Sequence, residues 1–240
     1  MSSSITELLR DGKIEIVLSR AEKDPSTVDQ ISEHLGSEIR SIRFNAATAL
    51  GELGPKAAKA VPRLMDRLGD EDWSIRREAA RSLGKIGKAA SKAVPKLCKL
   101  LKDSEVSVRK EAVISLGTME KPGAEGISSL VDALRDDKEE VRAEAANALG
   151  KIGSDAYTCI PDLMKTLKDT SWTVRTAAAK AIVGVGEGAS KAIPTLMTAL
   201  EDKDWRVRYR AATALSRIGK DAVPTLLKAF EHGSAVLRRG

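Results

Sequence analysis

Arginines at a constant interval are the residues whose chemistry stands out first. Six of them lie 33 residues apart: Arg43, Arg76, Arg109, Arg142, Arg175 and Arg208. Guanidinium groups held in register are suited to clamp phosphates. Five are preceded by an aspartate six residues earlier: Asp70, Asp103, Asp136, Asp169 and Asp202. Because five of the six copies pair the cation with an acid at a fixed spacing, the pattern favours a role in stacking the repeats over a phosphate site.

Residues able to act as catalysts or metal ligands are sparse. The two histidines, His34 and His232, lie near opposite ends of the chain, which favours surface positions over metal ligation. The two cysteines, Cys98 and Cys159, fall where other copies carry Met, Leu, Ala or Val, so we expect small buried hydrophobes in a reducing compartment. No nucleophile–base pair, glycine-rich phosphate loop or metal cluster is recognisable. The sequence therefore predicts no catalytic residues, no metal and no cofactor.

Aromatic and acidic residues recur near the turns between repeats. Trp73, Trp172 and Trp205 share one position in the repeat. Their rings could stack on bases or other rings. Because they lie at the start of a helix, we instead expect them to pack over the end of the core. Acidic turns occupy residues 70–72, 136–140 and 201–204. We expect these acids to form a solvated rim and to cap helices.

Composition limits the class of protein. Aromatic residues make up only 3%, while Ala, Leu, Ile and Val are plentiful, which disfavours a sandwich or barrel. The net charge is +6, but cations and acids are interspersed, which is typical of a solvated surface. The N-terminus lacks the pattern of a signal peptide, and no stretch approaches the roughly 18 apolar residues of a membrane helix. These features predict a soluble, cytoplasmic protein with no membrane contact.

The repeat itself predicts two helices per copy. The segment SIRFNAATALGELG at 41–54 recurs at 33-residue intervals, and its apolar residues step by three or four, as on one face of a helix. A shorter apolar segment precedes it, opened by Pro62, Pro95, Pro161 or Pro194. The signals that close and open the helices are Gly54, Gly87, Gly153 and Gly219, as left-handed C-caps, and Asp72 and Asp204, as N-caps.

Such units must stack, because a two-helix hairpin cannot bury its apolar face alone. We expect an all-α fold, a right-handed α-α superhelix of six to seven hairpins, forming one domain over 1–240. Residues 1–36 are predicted to be an N-terminal cap with a degenerate repeat, 37–220 the regular repeats, and 221–240 a partial repeat in which Arg238 takes the position of a seventh repeat arginine. The cap's candidate helix faces are Ile5, Leu8, Leu9, Ile14, Val17, Leu18, Val28, Ile31 and Leu35.

The pattern [IV]-R-x-x-A-A-x-[AS]-L-G, with its proline-opened first helix, resembles the short HEAT-like repeats of phycobilisome lyases across residues 37–238. This resemblance implies an Asp–Arg ladder between adjacent units and second helices that line a concave surface. The deoxyhypusine hydroxylases have similar repeats and bind iron through His-Glu pairs. Here Glu78, Glu111 and Glu144 follow Arg, Lys and Ala, so the resemblance implies no such iron site.

On that concave surface, positions one, five and nine after each repeat arginine form three variable ladders. The candidate partner-binding residues among them are Phe44, Arg77, Arg81, Lys85, Lys110, Ile114, Asn147, Lys151, Lys180, Tyr209, Thr213 and Arg217. Cations mixed with exposed apolar residues predict a non-catalytic scaffold that binds a protein or peptide with an acidic or amphipathic segment. The alternatives are nucleic-acid binding and, third, a lyase-type enzyme subunit.

Overall fold

The computed structural model describes residues 3–119 and 122–231, and within them all regular structure is helical, with no strand. The predicted all-α class is therefore confirmed. By its contacts the chain divides into two compact units, Met1–Gly126 and Ile127–Gly240. A single domain over 1–240 stays a prediction, and His232 and Arg238 lie outside the described residues.

The first unit begins with three short helices, α1 (Ile5–Arg10), α2 (Ile14–Lys23) and α3 (Ser26–Glu33). Seven of the nine residues predicted for their apolar faces are buried, while Ile14 and Leu18 are half-buried. The next helix, α4 (Arg40–Leu53), is joined to this segment by Asn45, whose Nδ2 donates to the Leu9 carbonyl at 2.7 Å. His34 is half-buried and bonds the Thr6 hydroxyl and the Gln30 carbonyl, each at 2.7 Å, so it holds the segment together and is not a simple surface residue.

Regular hairpins follow. In the first unit the helices are α4 (Arg40–Leu53), α5 (Val61–Arg67), α6 (Trp73–Ile86), α7 (Val94–Leu100) and α8 (Val106–Thr118). Helix α9 (Gly123–Ala133) contains the division, and the second unit continues with α10 (Glu139–Ile152), α11 (Ile160–Thr166), α12 (Trp172–Val185), α13 (Ile193–Ala199), α14 (Trp205–Ile218) and α15 (Val223–Glu231). The long second helices stack in sequence, α4 on α6 on α8 in one unit and α10 on α12 on α14 in the other.

The start and stop signals act nearly as predicted. The four repeat prolines lie in the first turn of α5, α7, α11 and α13. Asp72 and Asp204 cap α6 and α14 by accepting from the backbone N–H two residues on. The closing glycines have positive φ, but their ψ values lie outside the left-handed helical region, so the predicted left-handed C-caps are wrong. Gly54, for example, has φ 56° and ψ −133°, a combination that residues with a side chain rarely adopt. A short 3₁₀ segment follows each of these glycines, which the sequence did not predict.

Small residues set the distance between second helices. A Cβ on Gly84 would lie 2.7 Å from the Ser115 hydroxyl, and one on Gly150 would lie 2.7 Å from the Ala181 Cα. The Ser115 hydroxyl also donates to the Ala80 carbonyl at 2.8 Å across the helix interface. Because backbones approach this closely, the exposed sides of successive second helices form a continuous surface within each unit.

Candidate partner-binding surface

The repeat arginines form hydrogen bonds that connect successive repeats. Arg76 donates from Nε and Nη2 to both carboxylate oxygens of Asp103, at 2.7 and 2.9 Å, and from Nη1 to the carbonyl of Asp70 at 2.9 Å. The same three bonds join Arg142 to Asp169 and Asp136, and Arg175 to Asp202 and Asp169. Each arginine thus binds the aspartate of the following repeat, 27 residues on, and the predicted ladder is confirmed. Guanidinium groups used in this way are not available to clamp a phosphate.

Some acids at the turns are used internally, while others, such as Glu71, Glu139 and Glu140, are exposed as expected of a solvated rim. Asp70 is buried against Arg43, with Oδ2 3.2 Å from Nε. Burial raises the pKa of Asp103, but the hydrogen bonds from Arg76 and from the Glu105 backbone N–H, together with the charges of Arg76 and Arg109, hold the pKa below its usual value. The Ser74 hydroxyl, aided by Arg40, lowers the pKa of Asp72 to about 2. Asp72 and Asp103 therefore stay ionised at neutral pH, where they take part in the hydrogen bonds between and within repeats.

In the first unit, the predicted ladder positions come together in a groove of about 580 Å³ on α6 and α8. Its lining is Arg77, Arg81, Gly84, Lys85, Glu111, Ile114, Ser115 and Thr118. Four of these, Arg77, Arg81, Lys85 and Ile114, were predicted as binding residues. Phe44 and Lys110, also predicted, are half-buried and lie outside this lining.

This groove, hereafter the α6–α8 groove, has mixed charge. Lys85 Nζ lies 2.6 Å from Glu52 Oε1, and Arg81 lies 4.0 Å from the buried Glu78. Burial raises the pKa of Glu111, and the positive charge of Arg81 reduces this rise. Glu111 was not among the candidate partner-binding residues, although it lines the groove. Its position two residues after a repeat arginine, beside the first ladder, was the available signal.

In the second unit, a smaller depression of about 120 Å³ lies on α10, α12 and α14. Asn147, Lys151, Lys180 and Arg217, all predicted, line it together with Gly150, Ala181 and Gly184. Of these seven lining residues, three are cations and none is an acid. Tyr209 and Thr213 do not line it: Tyr209 is 60% exposed, and the Thr213 hydroxyl donates to the Tyr209 carbonyl at 2.8 Å.

The tryptophans do not bury their rings over the core as expected. Trp73 is 41% exposed and Trp205 is 63% exposed. Each lies four residues before the first ladder position, which places it on the same helix face as that ladder. The Arg77 guanidinium accordingly lies over the Trp73 ring, 5.2 Å from its centre. In α6, α12 and α14 the ladders thus continue to the start of the helix with a tryptophan that the sequence analysis assigned to packing.

The comparison with protein families agrees with this architecture. The family model for HEAT repeats matches residues 28–117, 94–159, 127–192 and 160–240. The chain belongs to the HEAT-repeat family. The predicted resemblance and the solenoid class of fold are confirmed. No curated protein matches this sequence.

Solved repeat proteins are similar to this HEAT-repeat chain. An archaeal HEAT-like repeat protein from Thermococcus onnurineus aligns with a TM-score of 0.68 at 14% identity, covering 92% of this chain and 99% of that one. A chain in the CpcE–CpcF complex of phycocyanin lyase from Nostoc aligns with a TM-score of 0.57 at 29% identity, covering 80% and 77%. A designed armadillo repeat protein in complex with peptide (KR)4 aligns with a TM-score of 0.62 at 22% identity, covering 79% of this chain and 98% of that one.

Three further features of the HEAT-repeat chain concern metal-binding groups, membrane helices and cysteines. Within 3–119 and 122–231 no three His, Cys, Asp or Glu side chains are grouped to hold a metal. None of the helices described there is both long and apolar enough to cross a membrane. Cys159 is buried as expected, whereas Cys98 is half-buried, and neither forms a disulfide.

Proposed function

We propose that this HEAT-repeat protein is a non-catalytic scaffold that binds a protein or peptide partner on the exposed face of its second helices. One observation carries the proposal: predicted binding positions line a depression in each unit. Arg77, Arg81, Lys85 and Ile114 line the α6–α8 groove, and Asn147, Lys151, Lys180 and Arg217 line the depression of the second unit.

The chemistry of the α6–α8 groove supports a protein partner. Specific interfaces combine apolar anchors with a polar surround and are enriched in arginine. Here Ile114 lies among Arg77, Arg81 and Lys85 in one groove. Since Asp–Arg pairs and close glycine contacts fix the helices beneath, binding requires little ordering of the scaffold, which favours affinity.

Two structural neighbours support the same class of function. The designed armadillo repeat protein is in complex with a peptide, and the phycocyanin lyase chain is in complex with a second protein chain. Those contacts belong to those proteins, and the armadillo likeness, at 22% identity, concerns the fold alone. They support this proposal because stacked helical hairpins of this kind present surfaces to peptides or proteins.

Nucleic-acid binding is less well supported by the α6–α8 groove. A phosphate backbone carries a negative charge at every nucleotide and is matched by an uninterrupted row of cations. Glu111 lines this groove, and Glu78 lies 4.0 Å from Arg81. These carboxylates interrupt the row and favour a partner of mixed character.

Site-specific photo-crosslinking tests the proposal. A photoreactive amino acid replaces Ile114 in one variant and Lys99 in a matched one. Ile114 lines the groove, whereas Lys99 is exposed on the first helix α7 of the same unit. After irradiation in native lysate, we expect a discrete protein adduct from position 114, resistant to nuclease and absent from position 99. Equal adducts at both positions, no adduct, or a nuclease-sensitive adduct would contradict the proposal.

A further inference from the structure

The second unit carries exposed side chains of two different kinds on one face of its second helices. On α14, Trp205, Tyr209, Thr213 and Arg217 follow one another at intervals of four residues, which places them along one side of the helix. On α12 the matching series is Trp172, Thr176, Lys180 and Gly184. We call this surface, together with Lys151 of α10, the α12–α14 stripe. Its N-terminal end is aromatic and its C-terminal end is cationic.

The aromatic end exposes large rings that the core does not use. Trp205 is 63% exposed and Tyr209 is 60% exposed. Trp172 is covered by Arg206, whose guanidinium lies 3.2 Å from the ring centre. Asp204 holds that guanidinium with two hydrogen bonds of 2.9 and 2.7 Å and neutralises its charge. Neighbouring exposed aromatic rings are typical of a binding surface, because they offer apolar area at a small entropic cost.

The cationic end is built around the 120 Å³ depression. Within the described part of the chain, Lys151, Lys180 and Arg217 have no hydrogen-bond or ion-pair partner, and all three are exposed. The depression lies well below the roughly 300–1,000 Å³ of small-molecule sites, so it suits a side chain better than a cofactor. Three unpaired cations around it select a carboxylate by charge complementarity.

The distance between the two ends sets the spacing of the ligand. Trp205 and Arg217 are twelve residues apart on α14, which corresponds to about 18 Å at ~1.5 Å per residue. An extended peptide advances ~3.3 Å per residue, so five or six residues span that distance. We propose that the α12–α14 stripe binds an extended segment of a partner protein in which an acidic cluster lies five or six residues from an aromatic residue.

This inference rests on the proposed scaffold function and adds the chemistry of the partner. A single-stranded nucleic acid would also stack on tryptophan, but its phosphates recur along its whole length. Between the tryptophans and the depression, α12 and α14 carry Thr176 and Tyr209, which are uncharged, and the cations begin only at Lys180. Separate aromatic and cationic ends therefore favour a peptide with separate aromatic and acidic parts.

Fluorescence anisotropy with designed peptides tests the inference on the full chain. The main probe is a fluorescein-labelled peptide with three glutamates centred five residues from a tryptophan, in a Gly-Ser background, made in both chain directions. Two control peptides are measured beside it: one has a two-residue spacing, and the other has glutamine in place of glutamate. We expect the five-residue probe, in at least one direction, to bind about tenfold more tightly than either control peptide.

Matched protein variants locate the binding. The double variant Lys180→Glu with Arg217→Glu should raise the Kd of the main probe about tenfold or more, and so should Trp205→Ala with Tyr209→Ala. The control, Lys168→Glu with Lys191→Glu, makes the same charge change at exposed lysines away from the stripe and should stay within about twofold of wild type. Far-ultraviolet circular dichroism verifies that each variant is folded.

Several results would overturn the inference. Equal affinity for the two spacings would remove the bipartite site, and an equal loss in the Lys168 and Lys191 control would reduce the effect to net charge. Displacement of the probe by an oligonucleotide, with the same sensitivity to the Lys180 and Arg217 variant, would assign the stripe to nucleic acid. If no peptide binds while position 114 still crosslinks a protein, this inference fails and the scaffold function stands. Failure of both experiments would reject both.

Discussion

Arg175 joins two successive repeats through Asp202. Its Nε and Nη2 lie 2.6 and 2.8 Å from the two carboxylate oxygens of Asp202, while its Nη1 donates to the carbonyls of Asp169 and Thr170 at 2.9 and 3.0 Å. One guanidinium thus fixes the turn of its own repeat and the acid of the next. Because the side chains are only 6% and 12% exposed, the pair is shielded from water and salt.

Removing this guanidinium should destabilise the second unit strongly. Arg175→Ala leaves Asp202 without its cation and two carbonyls without a donor, and we expect a loss of about 3 kcal/mol in the free energy of unfolding. Arg175→Lys should recover less than half of this, because an ammonium cannot form the two parallel bonds. Urea unfolding measures both, with exposed Lys191→Ala as control. A loss under about 1 kcal/mol for Arg175→Ala would mean that the ladder does not hold the stack.

Stability should fall as the pH drops below about 4. The pKa of Asp72 is lowered to about 2, and those of Asp103, Asp169 and Asp202 are also lowered. At pH 3 the Asp72 carboxyl is largely protonated in the unfolded chain, where the pKa is about 3.9, but remains ionised in the fold, and the pKa values of the other three are shifted in the same direction. Their contribution is therefore complete above the unfolded pKa and is lost as the pH falls through the folded pKa.

Urea unfolding at pH 7, 5, 4, 3 and 2.5 measures this dependence. We expect a flat free energy of unfolding from pH 7 to 5 and a steep decline below 4. Asp72→Asn should make the decline shallower, since one titrating group is gone. A wild-type profile that stays flat down to pH 2.5 would contradict the assignment of these pKa values.

The glycines between second helices should not tolerate a methyl group. A Cβ on Gly150 would lie 2.7 Å from the Ala181 Cα, and backbone cannot yield as a flexible side chain can. We expect Gly150→Ala to destabilise the protein by about 1–3 kcal/mol through overpacking. Gly36→Ala is the matched control, because no atom lies within 4 Å of its Cβ. Thermal unfolding compares the two, and equal Tm values would refute the close approach.

Cys159 should be chemically inert in the folded protein. Burial, aided by the charge of Asp162, raises the pKa of its thiol to about 11, so little of the reactive thiolate forms at pH 8. Iodoacetamide followed by mass spectrometry should show alkylation of half-buried Cys98 before Cys159, and equal alkylation of both in urea. Faster native alkylation of Cys159 than of Cys98 would show that the site opens readily.

The features that the sequence predicted well are those shared by every copy. The 33-residue period placed both helices, the prolines and the closing glycines, because residues repeated at one position face the same environment in each repeat, and the resemblance to HEAT-like repeats implied the Asp–Arg ladder. The resemblance to HEAT-like repeats supplied the face on which eight of the predicted residues line a groove or depression.

Features that depend on unlike neighbours could not be predicted. The buried Glu78 accepts a hydrogen bond from Thr48 of α4, and Glu111 lies near Arg77 and Arg81 of α6, contacts that the period does not specify. The exposure of Trp205 was missed because helical propensity at a helix start does not show which way a ring turns. The interval of four residues to Tyr209 would have indicated it.

The central claim is that the second-helix face binds the partner, and one affinity measurement tests it most directly. Calorimetry with the partner identified by crosslinking at position 114 compares two double variants. One carries Arg77→Gln and Arg81→Gln, both in the α6–α8 groove. The control carries Lys99→Gln and Lys102→Gln, exposed residues that lie outside its lining. Both doubles remove two positive charges. We predict that the groove variant binds about tenfold more weakly or worse, while the control binds as wild type. Wild-type affinity in the groove variant, or an equal loss in both, would contradict the account.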